Sequence, residues 1–172
     1  MKRRIPAALA LAAMLAASLN SPAKAGPEEI ALLSSYLGSW SGAGRLVGGE
    51  KPEDFRCRLI IAQGAPNKIN YSGRCALINM NLSVAGTIAF SDENQRYEAI
   101  MSSNAGFTGQ AVGKKSGNQI SFDLAERQKD RGGNDVRIGS RIRLANGAIA
   151  LDFEVEFNDS GKILTASVPF QR

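Results

Sequence analysis

The most reactive side chains in the sequence are two cysteines, Cys57 and Cys75, and there is no histidine among the 172 residues. Two thiols can form a structural disulfide or work as a redox pair. Without an imidazole, the chain has no Ser-His-Asp triad, no Cys-His dyad, and no zinc or haem site built on histidine. We therefore predict a protein that is not an enzyme, with no catalytic residues, no metal site and no cofactor.

Charged residues cluster in the last third of the sequence. They are the acids Asp152, Glu154 and Glu156 and the bases Arg137, Arg141 and Arg143. Paired carboxylates can act as general acid and base, and a ridge of arginines can bind an anionic headgroup or a glycan. Both groups occupy the polar positions of alternating segments, so we expect them to face each other on a solvated surface. A carboxylate there lacks the raised pKa that a general acid needs.

Large apolar side chains form a third set of candidates. They are Trp40, Tyr71, Met80, Tyr97, Phe122 and Phe153. If their segments are strands, these residues fall on inward faces and would line any internal cavity. Ordinary core packing explains the same pattern, so both interpretations stay open. For Trp40, the alternatives are an apolar plug and a surface on which a ligand stacks.

One short helix is predicted before these segments. Pro27 suits the first helical position, two glutamates follow it, and Ile30, Leu33 and Leu37 recur at helical spacing. Gly38 then ends the pattern. A helix of about ten residues is not stable alone, so we expect it to dock on another element.

From Trp40 onward, apolar and polar residues alternate with a period of two in about ten runs. Turn clusters such as 64–67, 116–118 and 158–161 separate the runs. This pattern predicts an all-β fold: an up-and-down antiparallel β-barrel of about ten strands with a short N-terminal helix. Closure removes the exposed strand edges of an open sheet. A ten-stranded barrel is wide enough that side chains need not fill it. A sandwich is the alternative.

The first 25 residues read as a cleaved secretory signal, with three early basic residues, an apolar stretch and the small-x-small pattern Ala23-Lys24-Ala25. The apolar run is short for a bilayer span, although a retained anchor is the alternative. Residues 26–172 then form one domain. Four of the 21 Lys and Arg lie in the signal, leaving 17 against 16 Asp and Glu, a net charge of +1. We therefore expect a soluble periplasmic protein with no nucleic-acid partner and no transmembrane segment.

The strand-pairing register of two hairpins can be predicted from the sequence. Asn146-Gly147 favours a two-residue type I′ turn, which sets Arg141 opposite Asp152 and Arg137 opposite Glu156. The apolar face then pairs Ile142 with Leu151, Ile138 with Val155 and Val136 with Phe157. A shift of one residue would destroy both sets of matches.

The second hairpin is centred on Pro66 and sets Cys57 opposite Cys75. Directly opposed residues come close enough for a disulfide, and an exported protein meets an oxidising compartment. We therefore predict a Cys57–Cys75 disulfide. Two buried free thiols or a redox pair are the alternatives.

The segment Leu37–Gly44, LGSWSGAG, resembles the N-terminal signature of the calycin barrels. It has the Gly-x-Trp of lipocalins and the L-G-x-W-x-G-x-G pattern of nitrobindin-like ten-stranded barrels. The resemblance implies a short helix before the first strand and Trp40 at the closed end of a barrel. Nitrobindin-like proteins ligate haem through a histidine that this chain lacks, so haem binding does not follow. Bacterial metalloprotease inhibitors share a similar motif but are shorter.

On this basis we expect a periplasmic binding protein for a small apolar or amphipathic, lipid-like ligand. The alternative is a cell-envelope interaction protein, similar to a protease inhibitor or an envelope-integrity factor. Such a protein would have a packed core and bind an envelope protein partner through its loops. A continuous cavity favours the first reading, and a filled interior favours the second.

Overall fold

The structure is a computed structural model and describes residues 26–78, 80–130 and 132–172. The predicted signal, residues 1–25, lies outside the described residues. One helix precedes ten strands. The elements are α1 (Gly26–Ser34), β1 (Gly38–Leu46), β2 (Glu53–Gln63), β3 (Lys68–Ala76), β4 (Asn81–Ser91), β5 (Arg96–Ser103), β6 (Thr108–Ser116), β7 (Gln119–Lys129), β8 (Asp135–Ala145), β9 (Ala148–Phe157) and β10 (Ile163–Gln171). Among the described residues, no helix has the length and apolar character needed to cross a bilayer.

The ten strands form a closed antiparallel barrel in which each strand pairs with its neighbours in the sequence. β10 returns to pair with β1 and completes the ring. This architecture confirms the predicted up-and-down β-barrel with a short N-terminal helix and excludes the sandwich. The inward positions of each strand carry the apolar residues, as the period of two predicts.

Two glycines make the seam between β1 and β10 possible. A Cβ atom on Gly42 would lie 2.7 Å from the carbonyl oxygen of Pro169, and one on Gly44 would lie 2.8 Å from that of Ser167. These oxygens belong to the backbone of β10 and cannot move aside cheaply. Gly42 and Gly44 therefore allow the last strand to approach the first closely enough to close the barrel.

Both predicted hairpin registers are confirmed. In the β8–β9 hairpin Arg141 lies opposite Asp152 and Arg137 opposite Glu156. Arg137 forms the expected ion pair with Glu156. Arg141 instead pairs with Asp123 of β7, on its other side. The register therefore follows from the hairpin, whereas the partner of Arg141 is decided by a third strand.

In the β2–β3 hairpin Cys57 lies opposite Cys75 and the two form the predicted disulfide, with Cα atoms 4.0 Å apart. Leu59 faces Gly73 across the same pair of strands. Both cysteines point into the barrel, because Cys57 and Leu59 share the inward positions of β2.

The helix α1 and the segment after it seal one end of the barrel, which we call the closed end. Leu33 and Tyr36 are each 1% exposed and belong to the main core cluster together with Trp40. The other end, which we call the open end, carries the loops that follow β1, β3, β5, β7 and β9. A second, smaller cluster of Val136, Ile138 and Val155 fills the β8–β9 side of this end.

Gly44→Ala is expected to destabilise the protein by about 1–3 kcal/mol, because the new methyl group would press on the β10 backbone. Gly139→Ala in β8 is the control, since its nearest contact would be the Cβ of Glu154 at 3.7 Å. Its free energy of unfolding should stay the same or rise slightly. Urea unfolding measures both, and equal effects would contradict this account of the seam.

Reduction of the Cys57–Cys75 disulfide should lower the free energy of unfolding by about 3 kcal/mol, because the cross-link restricts the unfolded chain. Urea unfolding with and without a reductant measures the difference. The double variant Cys57→Ser, Cys75→Ser should show no response to reductant. Two free thiols found by mass spectrometry after export would show that the pairing is wrong.

Candidate functional site

The barrel encloses a cavity of about 110 Å³, and its wall is almost entirely apolar. Six strands on two sides of the barrel, β2–β5, β8 and β9, supply most of the wall, and Phe107 and Phe170 also contribute. Along β9 the wall extends from Ile149 to Phe153, which is about 13 Å of strand. The wall therefore extends along much of the barrel rather than around a single layer of side chains.

Exposure of the inward side chains changes along the barrel. Near the closed end, Ile69, Ile120 and Leu144 are fully buried. Through the middle and toward the open end, inward residues such as Val84 and Leu151 are half-buried instead. These side chains are therefore incompletely covered by protein atoms, and the interior is not completely packed.

Small residues at inward positions of β4, β5 and β6 explain the incomplete packing. They are Gly86, Ala99, Gly109, Ala111 and Gly113. Neighbouring side chains cross above some of them. A Cβ on Gly113 would lie 2.7 Å from the ring of Phe122, for example. These side chains fill only part of the barrel interior, because a ten-stranded barrel is wider than one or two side chains can span.

Tyr71 divides the interior. Its ring lies over Gly86, and its hydroxyl donates a hydrogen bond to the carbonyl oxygen of Ile100, 3.2 Å away. The ring borders both the main cavity and a side cavity of about 20 Å³. Burial raises the pKa of Tyr71 to about 12. The hydroxyl therefore stays protonated at neutral pH and remains a donor.

The six predicted candidates do not form one site. Tyr71 and Phe153 line the main cavity, and Phe122 lines the side cavity. Trp40 and Tyr97 are buried at the closed end. The inward placement of Met80 was wrong: it lies just before β4, is 50% exposed and does not line either cavity.

Trp40 is a plug at the closed end, as the resemblance implied. Its indole N–H donates a hydrogen bond to the carbonyl oxygen of Tyr36 at 3.0 Å, and the rings of the two residues stack 6.3 Å apart. The guanidinium of Arg172 covers the indole at 4.8 Å from the ring centroid. These contacts hold the Trp40 side chain away from the cavity.

Tyr97 takes part in a polar latch that ties α1 to the barrel. Its hydroxyl donates a hydrogen bond to the carboxylate of Glu29, and the ammonium of Lys115 lies 2.7 Å from the same carboxylate. Burial and this hydrogen bond raise the pKa of Tyr97. Burial alone would raise the pKa of Glu29, but the hydrogen bonds from Lys115 and Tyr97 outweigh it and hold that pKa below 4.5.

Sequence reasoning missed several parts of the cavity wall. Cys57 and Cys75 line the cavity, so the disulfide is part of the wall as well as a cross-link. Ser103 and Ser140 supply two of its few polar side chains. The alternation that placed Ile138 and Ile142 inward also places Ser140 inward, so the signal was present in the sequence.

The charged cluster lies on the outer face. Arg143 pairs with Asp152 at 2.8 Å, and the hydroxyl of Ser167 donates a hydrogen bond to the same carboxylate at 2.7 Å. The predicted solvated face is therefore confirmed. In the part of the chain that the structure describes, no group of three or more Cys, Asp or Glu side chains is arranged to hold a metal ion.

Two solved structures show the same fold. No protein-family model matches the chain, and no curated protein matches it in sequence. The crystal structure of Rv2717c from M. tuberculosis is 17% identical, with a TM-score of 0.62 over 84% of this chain and 98% of that one. The S-type phycobiliprotein lyase CPES from Guillardia theta is 16% identical, with a TM-score of 0.53 over 81% of this chain and 89% of that one. The similarity shows that the chain shares its β-barrel fold with these two proteins.

Glu29→Gln should lower the free energy of unfolding at pH 7 by about 1–2 kcal/mol, because it removes a charged acceptor from Tyr97 and Lys115. The contacts of Glu29 in the folded protein lower its pKa from 4.5. The latch therefore stabilises the folded protein above about pH 4.5, where the carboxylate is charged. The difference between variant and parent should shrink as the pH falls below that value. Glu28→Gln, an exposed acid in the same turn, is the control and should show a smaller effect at pH 7. Equal effects of the two substitutions would contradict the latch.

Proposed function

We propose that this protein binds a small apolar or amphipathic ligand inside its barrel. The observation that carries the proposal is the cavity inside the barrel, whose wall is almost entirely apolar. An apolar ligand in this space would remove that surface from water, which is worth about 25 cal/mol for each Å² buried.

The dimensions of the cavity limit the ligand to a slender group. A volume of about 110 Å³ is below the ~300 Å³ at which pockets for drug-sized molecules begin. It is closer to the ~150 Å³ of an engineered cavity that accepts benzene. Because the wall also extends along about 13 Å of β9, a single alkyl chain fits the cavity better than a broad ring system such as haem.

The polar end of an amphipathic ligand would stay at the open end. Trp40, Tyr97 and the helix are packed at the closed end, so we propose that the chain enters from the opposite end. Ser103 lies near that side, at the last position of β5. We therefore propose an alkyl chain inside the barrel with its headgroup in water.

We further propose that the protein is exported to the periplasm and acts by binding rather than by catalysis. The disulfide supports export, because such bonds persist mainly in oxidising compartments. The signal-like pattern of residues 1–25 also supports export. Among the described residues that line the cavity, none is an Asp, Glu or Lys that could act as an acid or base.

A protein partner at the open end is the second candidate function. Large apolar residues are exposed on the loops and strand ends there: Val47 at 39%, Ile78 at 77%, Met80 at 50% and Ile163 at 44%. Exposed apolar side chains that lie together mark protein or ligand contacts. A bound protein found by native mass spectrometry of material from its own envelope would favour this candidate, and a bound lipid would favour the first.

Val84→Trp should weaken the binding of dodecanoic acid by at least about tenfold, because the indole would fill the cavity that Val84 lines. Val112→Trp makes the same change at a position on the outer face that is 48% exposed, and it should leave the affinity unchanged. Titration calorimetry measures the affinity, and urea unfolding confirms that both variants fold. Failure of the parent protein to bind dodecanoic acid or dodecanol would contradict the proposal.

A further inference from the structure

Three arginines lie together on the outer face of β2 and β3. Arg58 and Arg74 are directly opposite each other, and Arg56 is two residues from Arg58 on the same face. Directly opposed side chains have Cβ atoms about 5 Å apart, and diagonal ones about 7 Å apart. All three side chains are exposed and border one shallow groove of about 670 Å³. Their three guanidinium groups can therefore contact the same bound group.

Among the described residues, the cross-strand neighbours of these arginines carry no negative charge. Arg56 has Ala43 on one side and Ala76 on the other, and Arg58 is flanked by Ser41 on β1. These small side chains leave the guanidinium groups uncovered. Within residues 26–78, 80–130 and 132–172, none of the three arginines forms an ion pair.

The nearest acid on the same strand face is already engaged. Asp54 lies two residues before Arg56 but accepts two hydrogen bonds from Arg45, at 2.6 and 2.9 Å. On β8 the contrast is clear, because Arg137, Arg141 and Arg143 each pair with a carboxylate. The arginines of β2 and β3 therefore form a local excess of positive charge.

The Cys57–Cys75 disulfide fixes this arrangement. Cys57 lies between Arg56 and Arg58, and Cys75 directly follows Arg74. Like charges directly opposite each other across two strands are destabilising. The covalent bond holds the register in which Arg58 faces Arg74, so the repulsion cannot be relieved by a slip of the strands.

We propose that Arg56, Arg58 and Arg74 form a binding site for a phosphate group on the outside of the barrel. A planar guanidinium matches phosphate with two parallel hydrogen bonds, and three of them can surround one phosphate. The phosphate can be free in solution or part of a lipid headgroup, since both offer the same oxygens. The three side chains project from the outer face of β2 and β3, whereas the cavity lies against their inner face.

Inorganic phosphate and lipid vesicles separate the two sources of phosphate. Phosphate should raise the Tm by about 3 °C relative to chloride at the same ionic strength, and the increase should level off at high phosphate concentration. Vesicles containing phosphatidylglycerol should co-sediment the protein, and vesicles of phosphatidylcholine alone should not. A response to either form supports the site and identifies its source. No response to phosphate beyond that to chloride, together with no binding to either vesicle, overturns the proposal.

Arg58→Gln and Arg74→Gln should each weaken phosphate or vesicle binding about tenfold, because each removes a charged donor. Each variant should also unfold at a higher temperature than the parent in phosphate-free buffer, since the repulsion is relieved. Arg127→Gln is the matched control: Arg127 is exposed and faces another arginine, Arg137, which is paired with Glu156. Equal weakening by Arg127→Gln would show nonspecific attraction and overturn the proposal. Arg74→Gln keeps the test valid if Arg58→Gln fails to fold.

Discussion

Closure of the sheet is the constraint on which the rest of the structure depends. Ten strands form a ring only because β10 comes close to β1, and the bare backbones of Gly42 and Gly44 permit that approach. Closure pairs the two edges that would otherwise be free to bind other chains. It also fixes the width of the interior through the number of strands, so the size of the inward side chains decides how much space is left.

The distribution of large and small side chains makes the two ends of the barrel different. At the closed end, Trp40, Phe90 and Tyr97 fill the ring, and α1 covers them. Along the middle of β4 to β6, inward glycines and alanines leave space that Tyr71 occupies only in part. A sealed end and an incompletely filled middle together leave an apolar cavity inside the barrel. This asymmetry, more than any single reactive residue, supports the proposed ligand binding.

The outer face is also divided into two regions. On β8, Arg137, Arg141 and Arg143 each pair with an acid of β7 or β9. On β2 and β3, the inward disulfide fixes a register that sets two arginines opposite each other outside. The same pair of strands thus contributes a cavity wall on one side and a positive patch on the other. The two surfaces can serve different ligands because the sheet separates them.

The sequence by itself determined the number of strands, the helix and both hairpin registers, because alternation and turn chemistry act between residues close in the chain. It also placed Cys57 opposite Cys75, whereas the position of Trp40 at the closed end was implied only by a family resemblance. Only the tertiary structure decided that Met80 lies outside β4 and that Arg141 forms its ion pair with Asp123 instead of Asp152. The same holds for the ring of Tyr71, which lies over Gly86. Each of these outcomes depends on which strands become neighbours around a closed ring and on how far side chains reach across it. A period of two records which face a residue occupies, but it carries no information about the distance to the opposite wall.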